Sequence, residues 1–195
     1  MSSGPVTDVE PRTLRDCLGR FATGVTILTY DADGAARGVT VNAFSAVSLD
    51  PPLILVAVGR KAKAAAFLER GPFCVNVLHA GQVDIARTFA GRPCNADIEW
   101  TNGALAPRLA RSHAWLECTP WRTYDGGDHL LFLGEVKALS FNDSDPLLFH
   151  CGDFHWRGDA LDDMGRSRRL SARPAAPLHQ AAVECLTAEC IAGWS

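Results

Sequence analysis

The chain has 195 residues, a mass of 21.0 kDa, 47% apolar and 21% charged residues, and a formal charge of −3. That is the length of one domain, able to bury about 70% of its unfolded surface, and too apolar for wholesale disorder. The 19 basic residues against 22 acidic ones give no positive field for nucleic acid, and no apolar run reaches the roughly 20 residues of a membrane span.

In chain order, residues 1–11 are polar with two prolines and read as a flexible arm. They lack the basic-then-apolar pattern of a signal peptide. Leu14, Leu18 and Phe21 recur at helical spacing and predict a helix over 12–22, which Gly24 can end. Residues 25–30 predict a strand, Asp31-Ala32-Asp33-Gly34 a hairpin turn, and residues 37–45 the returning strand. After Pro51-Pro52, the apolar run 53–58 predicts a strand covered on both faces. A helix over 61–70 follows, with Gly71 as its C-terminal cap. Residues 73–78 predict a further buried strand and 82–90 a helix. Residues 91–110 carry many turn formers and read as a long loop. Residues 115–123 and 129–141 flank Asp125-Gly126-Gly127-Asp128, a strong hairpin signal, and 146–150 form a last short strand.

Strands dominate and do not alternate regularly with helices, which disfavours a parallel doubly wound sheet. The pattern predicts a mainly β chain, an antiparallel barrel, closed or nearly so, with a few inserted or flanking helices. From Arg157 the character changes. Residues 159–173 are charged, Pro174 and Pro177 interrupt, and 178–191 are only weakly amphipathic. Residues 157–195 are expected to form a disordered or loosely helical tail. The seven cysteines are odd in number, irregularly spaced and without a C-x-x-C. This is neither a disulfide framework nor a zinc pattern, and it fits a cytoplasmic chain. Cys74 and Cys118 lie within strand runs, where a free thiol serves as a small hydrophobe.

The phosphate-binding, dinucleotide, metalloprotease and nucleophile-elbow motifs are all missing from the sequence. His150 and His155 near Cys151 make only a loose, isolated cluster, and no metal site is assigned. The informative stretch is 38–52. Alternation along one strand turns Val39, Val41 and Ala43 to the core, and Thr40, Asn42 and Phe44 to the other face. Ser45 and Ser48 follow, and Lys63 lies beyond the next strand. A planar heterocycle with a phosphate tail could use that amide, ring, hydroxyl and cation set. A merely polar solvent face would use the same residues. His129, at the mouth of the 125–128 hairpin, is expected to be exposed. It can donate, accept or carry a proton near neutral pH, or simply occupy a turn.

Together these segments resemble a known family. Phe21-Ala22-Thr23-Gly24-Val25-Thr26, Thr40-Val41-Asn42-Ala43-Phe44, Ser45-x-x-Ser48-Leu49-Asp50-Pro51-Pro52-Leu53, Cys74-Val75-Asn76-Val77-Leu78, Leu116-Glu117-Cys118 and Gly127-Asp128-His129…Gly134-Glu135-Val136 occur in order. They are similar to the short-chain flavin reductases, reductase components of two-component flavin-dependent monooxygenases. The resemblance implies an antiparallel split β-barrel over 12–156, typically a homodimer with flavin near the subunit interface. It implies hydride transfer from NADH, with NADPH possible, to FMN or FAD, and a partner oxygenase that takes the reduced flavin. Carried over, Thr40, Asn42, Ala43 and Phe44 would line the isoalloxazine. Ser45, Ser48 and Lys63 would hold the ribityl phosphate, and Phe89 would pack near the flavin's far end. His129 would face the nicotinamide, with Phe154 beside the same cleft. Many relatives carry small hydroxyl residues where this chain has Lys61 and Ala62, so the preferred flavin stays open. A flavoprotein oxidase that keeps its FMN, and a non-catalytic flavin- or haem-binding module, are the alternatives.

Overall fold

The computed structural model describes residues 9–92, 94–158, 160–161 and 167–168. The tail predicted over 157–195 lies for the most part outside these residues, as does most of the 1–11 arm. Helix α1 spans Pro11–Leu18 and ends at Gly19, earlier than the predicted stop at Gly24. A two-residue strand β1, Thr23–Gly24, leads into β2, Thr26–Ala32, and β3, Ala35–Val41. The β2–β3 turn is Asp33-Gly34, both at positive φ, within the predicted hairpin. Next come β4, Phe44–Leu49, and β5, Pro52–Gly59. Helix α2, Lys63–Leu68, follows, then β6, Phe73–Val77, and helix α3, Val83–Phe89. The predicted loop over 91–110 contains a small hairpin of β7, Trp100–Asn102, and β8, Pro107–Leu109. The long pair β9, Ala114–Gly126, and β10, His129–Phe141, flank the predicted turn. They precede β11, Leu147–His150, and a strand the sequence pattern did not signal, β12, Asp153–Trp156.

Seven strands form one antiparallel sheet in the order β3-β2-β6-β9-β10-β5-β4. Its two edge strands, β3 and β4, are consecutive in sequence and joined only by Asn42-Ala43. The sheet must therefore roll until its edges meet at that corner. No ladder joins β3 to β4, so the barrel is rolled but not closed. A smaller sheet, β1-β11-β12, stands beside it.

Residues directly opposite on paired strands share a face. The inner face carries Leu28, Val41, Ile54, Val56, Val58, Phe73, Val75, Cys118 and Phe132. Helix α2 plugs this core with Ala64, Ala65 and Leu68, and Phe67 stacks on Tyr30 at 5.3 Å. Each fully buried Val, Leu, Ile or Phe side chain of this core contributes roughly 1.5–3 kcal/mol. Gly134 has no side chain because a Cβ there would stand 2.6 Å from the Phe73 ring.

The outer face of β2, β6 and β9 is covered as well, and its row is polar. Thr29, Asn76 and Glu117 are all at most 1% exposed. They receive the β7–β8 hairpin. Thr29 donates its hydroxyl to the Pro107 carbonyl at 2.5 Å, and the Asn76 side-chain oxygen accepts the Leu109 N–H at 2.9 Å. Arg108 approaches Glu117 at 3.8 Å and lies over the Trp115 ring. A Cβ on Gly103 would strike the Glu117 carboxylate, so only glycine lets the hairpin lie flat there. Cys74 and Cys118 are buried free thiols, as expected of small hydrophobes. Burial pushes the Cys74 thiol well above its ordinary value and that of Cys118 up to about 12, so neither ionises near neutrality.

Candidate functional site

The single strand predicted over 37–45 is two strands with a corner at Asn42-Ala43. The Phe44 N–H donates to the Asn42 carbonyl at 3.0 Å, which breaks the two-residue alternation. Val39 and Val41 do face the inner core, as expected, but Ala43 does not: past the corner it is exposed. Thr40 faces outward, but not to solvent: its hydroxyl donates to the Ala86 carbonyl of α3 at 2.7 Å. The Phe44 ring does not face outward as the alternation predicts: it packs against the inner core, since the corner resets which face it occupies.

Beyond the corner lies a second departure from regular alternation. Ser45 pairs with Leu55 and Ala46 with Ile54; the register then shifts, and Ser48 pairs with Leu53. Val47 is the extra residue of a β-bulge. Ser45 and Ser48 are three apart, so a regular strand would place them on opposite faces. The bulge puts both on the outer face.

That face continues across β5 and β10. Leu55, Ala57 and Gly59 lie opposite Leu133, Leu131 and His129. Ala57 also donates its N–H to the Ala43 carbonyl at 3.1 Å, tying the corner to the same floor. From Leu53 to Gly59 the floor runs about 20 Å at 3.3 Å per residue. Its side chains are small or aliphatic, and those of Leu55 and Ala57 are only half-buried.

His129 closes one end. It is 8% exposed, not exposed as its place beside a turn suggested. Gly59, opposite it in the register, adds no side chain there. Its Nδ1–H donates to the Asp128 carboxylate at 2.7 Å, which fixes the ring plane and the tautomer. Asp128 lies below the usual carboxylate range, chiefly through that bond. Asp125 lies below it too, first through the Gly127 N–H and then through the Arg60 guanidinium.

The register places Ser48 and Lys63 at opposite ends of β5. Ser48 is opposite Leu53, whereas Lys63 opens α2 four residues past Gly59. Lys63 is exposed. Phe89 and Phe154 belong to the α3 side. Phe89 lies on Gly38 and meets Trp100 edge-to-face at 5.9 Å. Phe154 packs on Phe149, with Arg87 of α3 over its ring. The fold thus brings Ser45, Ser48 and His129 to one face, with the Ala43 carbonyl tied to Ala57 of the same floor. Thr40 sits around the corner against α3, whose last residue is Phe89. Arg60 was missed by sequence reasoning; only its pairing with the distant 125–128 turn marks it.

A flat, largely aliphatic floor with hydroxyls on one edge and a fixed imidazole at one end suits a planar ring stacked under a second planar ring. Among the described residues no helix is long and apolar enough to cross a membrane.

A family model described as flavin reductase like domain matches residues 18–158. The reductase subunit HsaB of a flavin-dependent monooxygenase from Rhodococcus jostii is 40% identical over 151 residues, 75% of this chain and 77% of that protein. An NADH-dependent FAD reductase from Streptomyces globisporus is 42% identical, over 77% of this chain and 89% of its own. Among solved structures, flavin reductase PheA2 superposes with a TM-score of 0.75 at 35% identity, covering 77% of this chain and all of that one.

Proposed function

The chain belongs to the family of flavin reductase like domains, and on that premise we propose that it is an NADH-dependent reductase of free flavin that supplies reduced flavin to a partner monooxygenase. The observation that carries the site assignment is the Val47 bulge. It sets Ser45 and Ser48 on the face that holds Ala57 and His129. The flavin is the second substrate, FMN or FAD. Asn42 and Ala43 line its ring edge at the corner, with Thr40 holding that corner against α3. The hydroxyls of Ser45 and Ser48 serve the polar tail, and Lys63 adds positive charge from the other end of the floor. Phe89 and Phe154 bound the far side through α3.

Hydride transfer from the dihydronicotinamide carbon to flavin N5 needs no protein nucleophile, because the two bound molecules carry the chemistry. The chain's residues align the rings and exclude water. Holding reacting atoms about 3–3.5 Å apart can lower the barrier by several kcal/mol. Backbone donors at the 42–43 corner can stabilise charge that develops on the pyrimidine edge. His129, fixed by Asp128, orients the nicotinamide and is not an obligatory proton donor.

The reading includes a homodimer. β4 is a sheet edge, and its Val47 and Leu49 are 49% and 96% exposed beside the serines. An apolar edge of this kind is normally covered, and a second copy there would bring the flavin to the interface. A cytoplasmic location fits a chain with several free thiols.

The test is NADH absorbance followed with excess riboflavin, FMN and FAD in parallel. Sustained turnover of many equivalents of free flavin per chain is expected. A protein that keeps one yellow equivalent and does not turn over free flavin would be an oxidase-type flavoprotein. No NADH consumption would mark a binding module.

A further inference from the structure

Arg60 follows directly on β5 and is the one residue of the β5–α2 loop whose side chain reaches across to the β9–β10 turn. Its backbone N–H donates to the Asp128 carbonyl at 2.9 Å. Its Nε–H donates to the Gly127 carbonyl at 2.6 Å, and its guanidinium pairs with Asp125. Asp125 in turn accepts the Gly127 N–H at 3.0 Å. Asp125 and Gly127 are thereby tied to the residue after β5 through its side chain and Asp128 through its backbone, and Asp128 in turn holds the His129 ring.

Folding does not require this clamp. The hairpin is already set by the pairing of Gly126 with His129 and by Gly127 at a φ of +80°. An ion pair this exposed adds little stability. What the fork of Arg60 adds is direction, because its rigid planar donors meet a carbonyl and a carboxylate in fixed directions, where a lysine ammonium would leave its donors free to rotate. Without it Asp125 and Gly127 lose their ties to the loop after β5, the turn keeps only the backbone bond from Arg60 to Asp128, and Asp128 can shift and carry the imidazole with it.

Resting on the reductase reading above, we infer that Arg60 is a positioning residue for the hydride donor: it acts through the 125–128 turn and Asp128 to hold His129 where the nicotinamide binds.

The test uses the full chain, with NADH varied at saturating free flavin and flavin varied at saturating NADH. Arg60→Ala is expected to raise the NADH KM about tenfold, the scale of a modest misplacement at a reacting centre. The flavin KM should stay within about twofold of its starting value. Asp125→Ala removes the other end of the clamp and should give the same split, which keeps the test usable if Arg60→Ala folds poorly. In a His129→Ala background, Arg60→Ala should add nothing to the NADH KM, because the two residues act as one unit. An NADH KM unmoved by either substitution overturns the inference. So does an equal rise in both Michaelis constants, or full additivity with His129→Ala. In those cases the unaltered chain still turns over free flavin and the reductase reading stands. No NADH consumption by the unaltered chain overturns that reading, and the inference with it.

Discussion

His129→Ala is expected to raise the NADH KM by at least about tenfold, near 1.4 kcal/mol of lost binding, while the flavin KM changes little. The ring is buried, opposite Gly59 in the register, and held by Asp128 at 2.7 Å, so its removal leaves a gap at one end of the floor and does not disturb Ser45 or Ser48. Turnover at saturating NADH should persist at a reduced rate, since hydride transfer between the two rings asks for alignment and not for a protein acid. Steady-state kinetics with each substrate varied separately will read this. Equal weakening of flavin and NADH would remove His129 from the nicotinamide end of the site. Complete loss of turnover at saturating NADH would instead make it a proton carrier.

Asn76→Ala should have the largest effect on stability. Asn76 is fully buried, the fourth of the five residues of β6, on the outer face of the sheet. Its side-chain oxygen accepts the Leu109 N–H at 2.9 Å, and its nitrogen donates to the Ile27 carbonyl at 3.0 Å and the Thr29 hydroxyl at 2.9 Å. Alanine would remove all three bonds and leave the Leu109 N–H without its partner, while the Thr29 hydroxyl keeps its bond to the Pro107 carbonyl; a buried group that loses its partner costs about 1–3 kcal/mol. A net loss of about 4 kcal/mol is expected, a fall in Tm of roughly 10 °C for a chain of this size. The β7–β8 hairpin should loosen first, and with it Trp100 against Phe89. Thermal or urea unfolding checks the magnitude, and a loss below about 1 kcal/mol would show that the hairpin is held by packing alone. The effect on flavin binding should be smaller than the effect on stability, because none of these partners lies on the β4–β5–β10 face.

Local signals explain which parts of the fold could be read from the sequence. The β9–β10 turn was legible because Gly126-Gly127 sits between apolar runs, and β5 because 53–58 is uniformly apolar. The family resemblance rested on motifs that fall on the elements lining the site. The split of β3 from β4 was not legible. Asn42-Ala43 continues the alternation, and only the roll of the sheet, which brings its two edges to one corner, forces the break. The inward turn of Phe44 follows from that break. The Val47 bulge was hidden for the same reason, although the three-residue spacing of Ser45 and Ser48 was a usable hint: both can share a face only if the strand is irregular. The β7–β8 hairpin is made of two three-residue strands held from far away by Thr29 and Asn76, so nothing local marks it. The burial of His129 depends on Gly59, seventy residues earlier, and the role of Arg60 on a turn more than sixty residues later.

The placement of the flavin is tested most directly by a crystal structure of the chain soaked with FAD or FMN and NAD. The expected result is a tricyclic ring lying over Leu55 and Ala57, its edge against the 42–43 corner, its tail along Ser45 and Ser48, and the pyridine ring between it and His129. A ring seated elsewhere, or a nicotinamide far from His129, would contradict it.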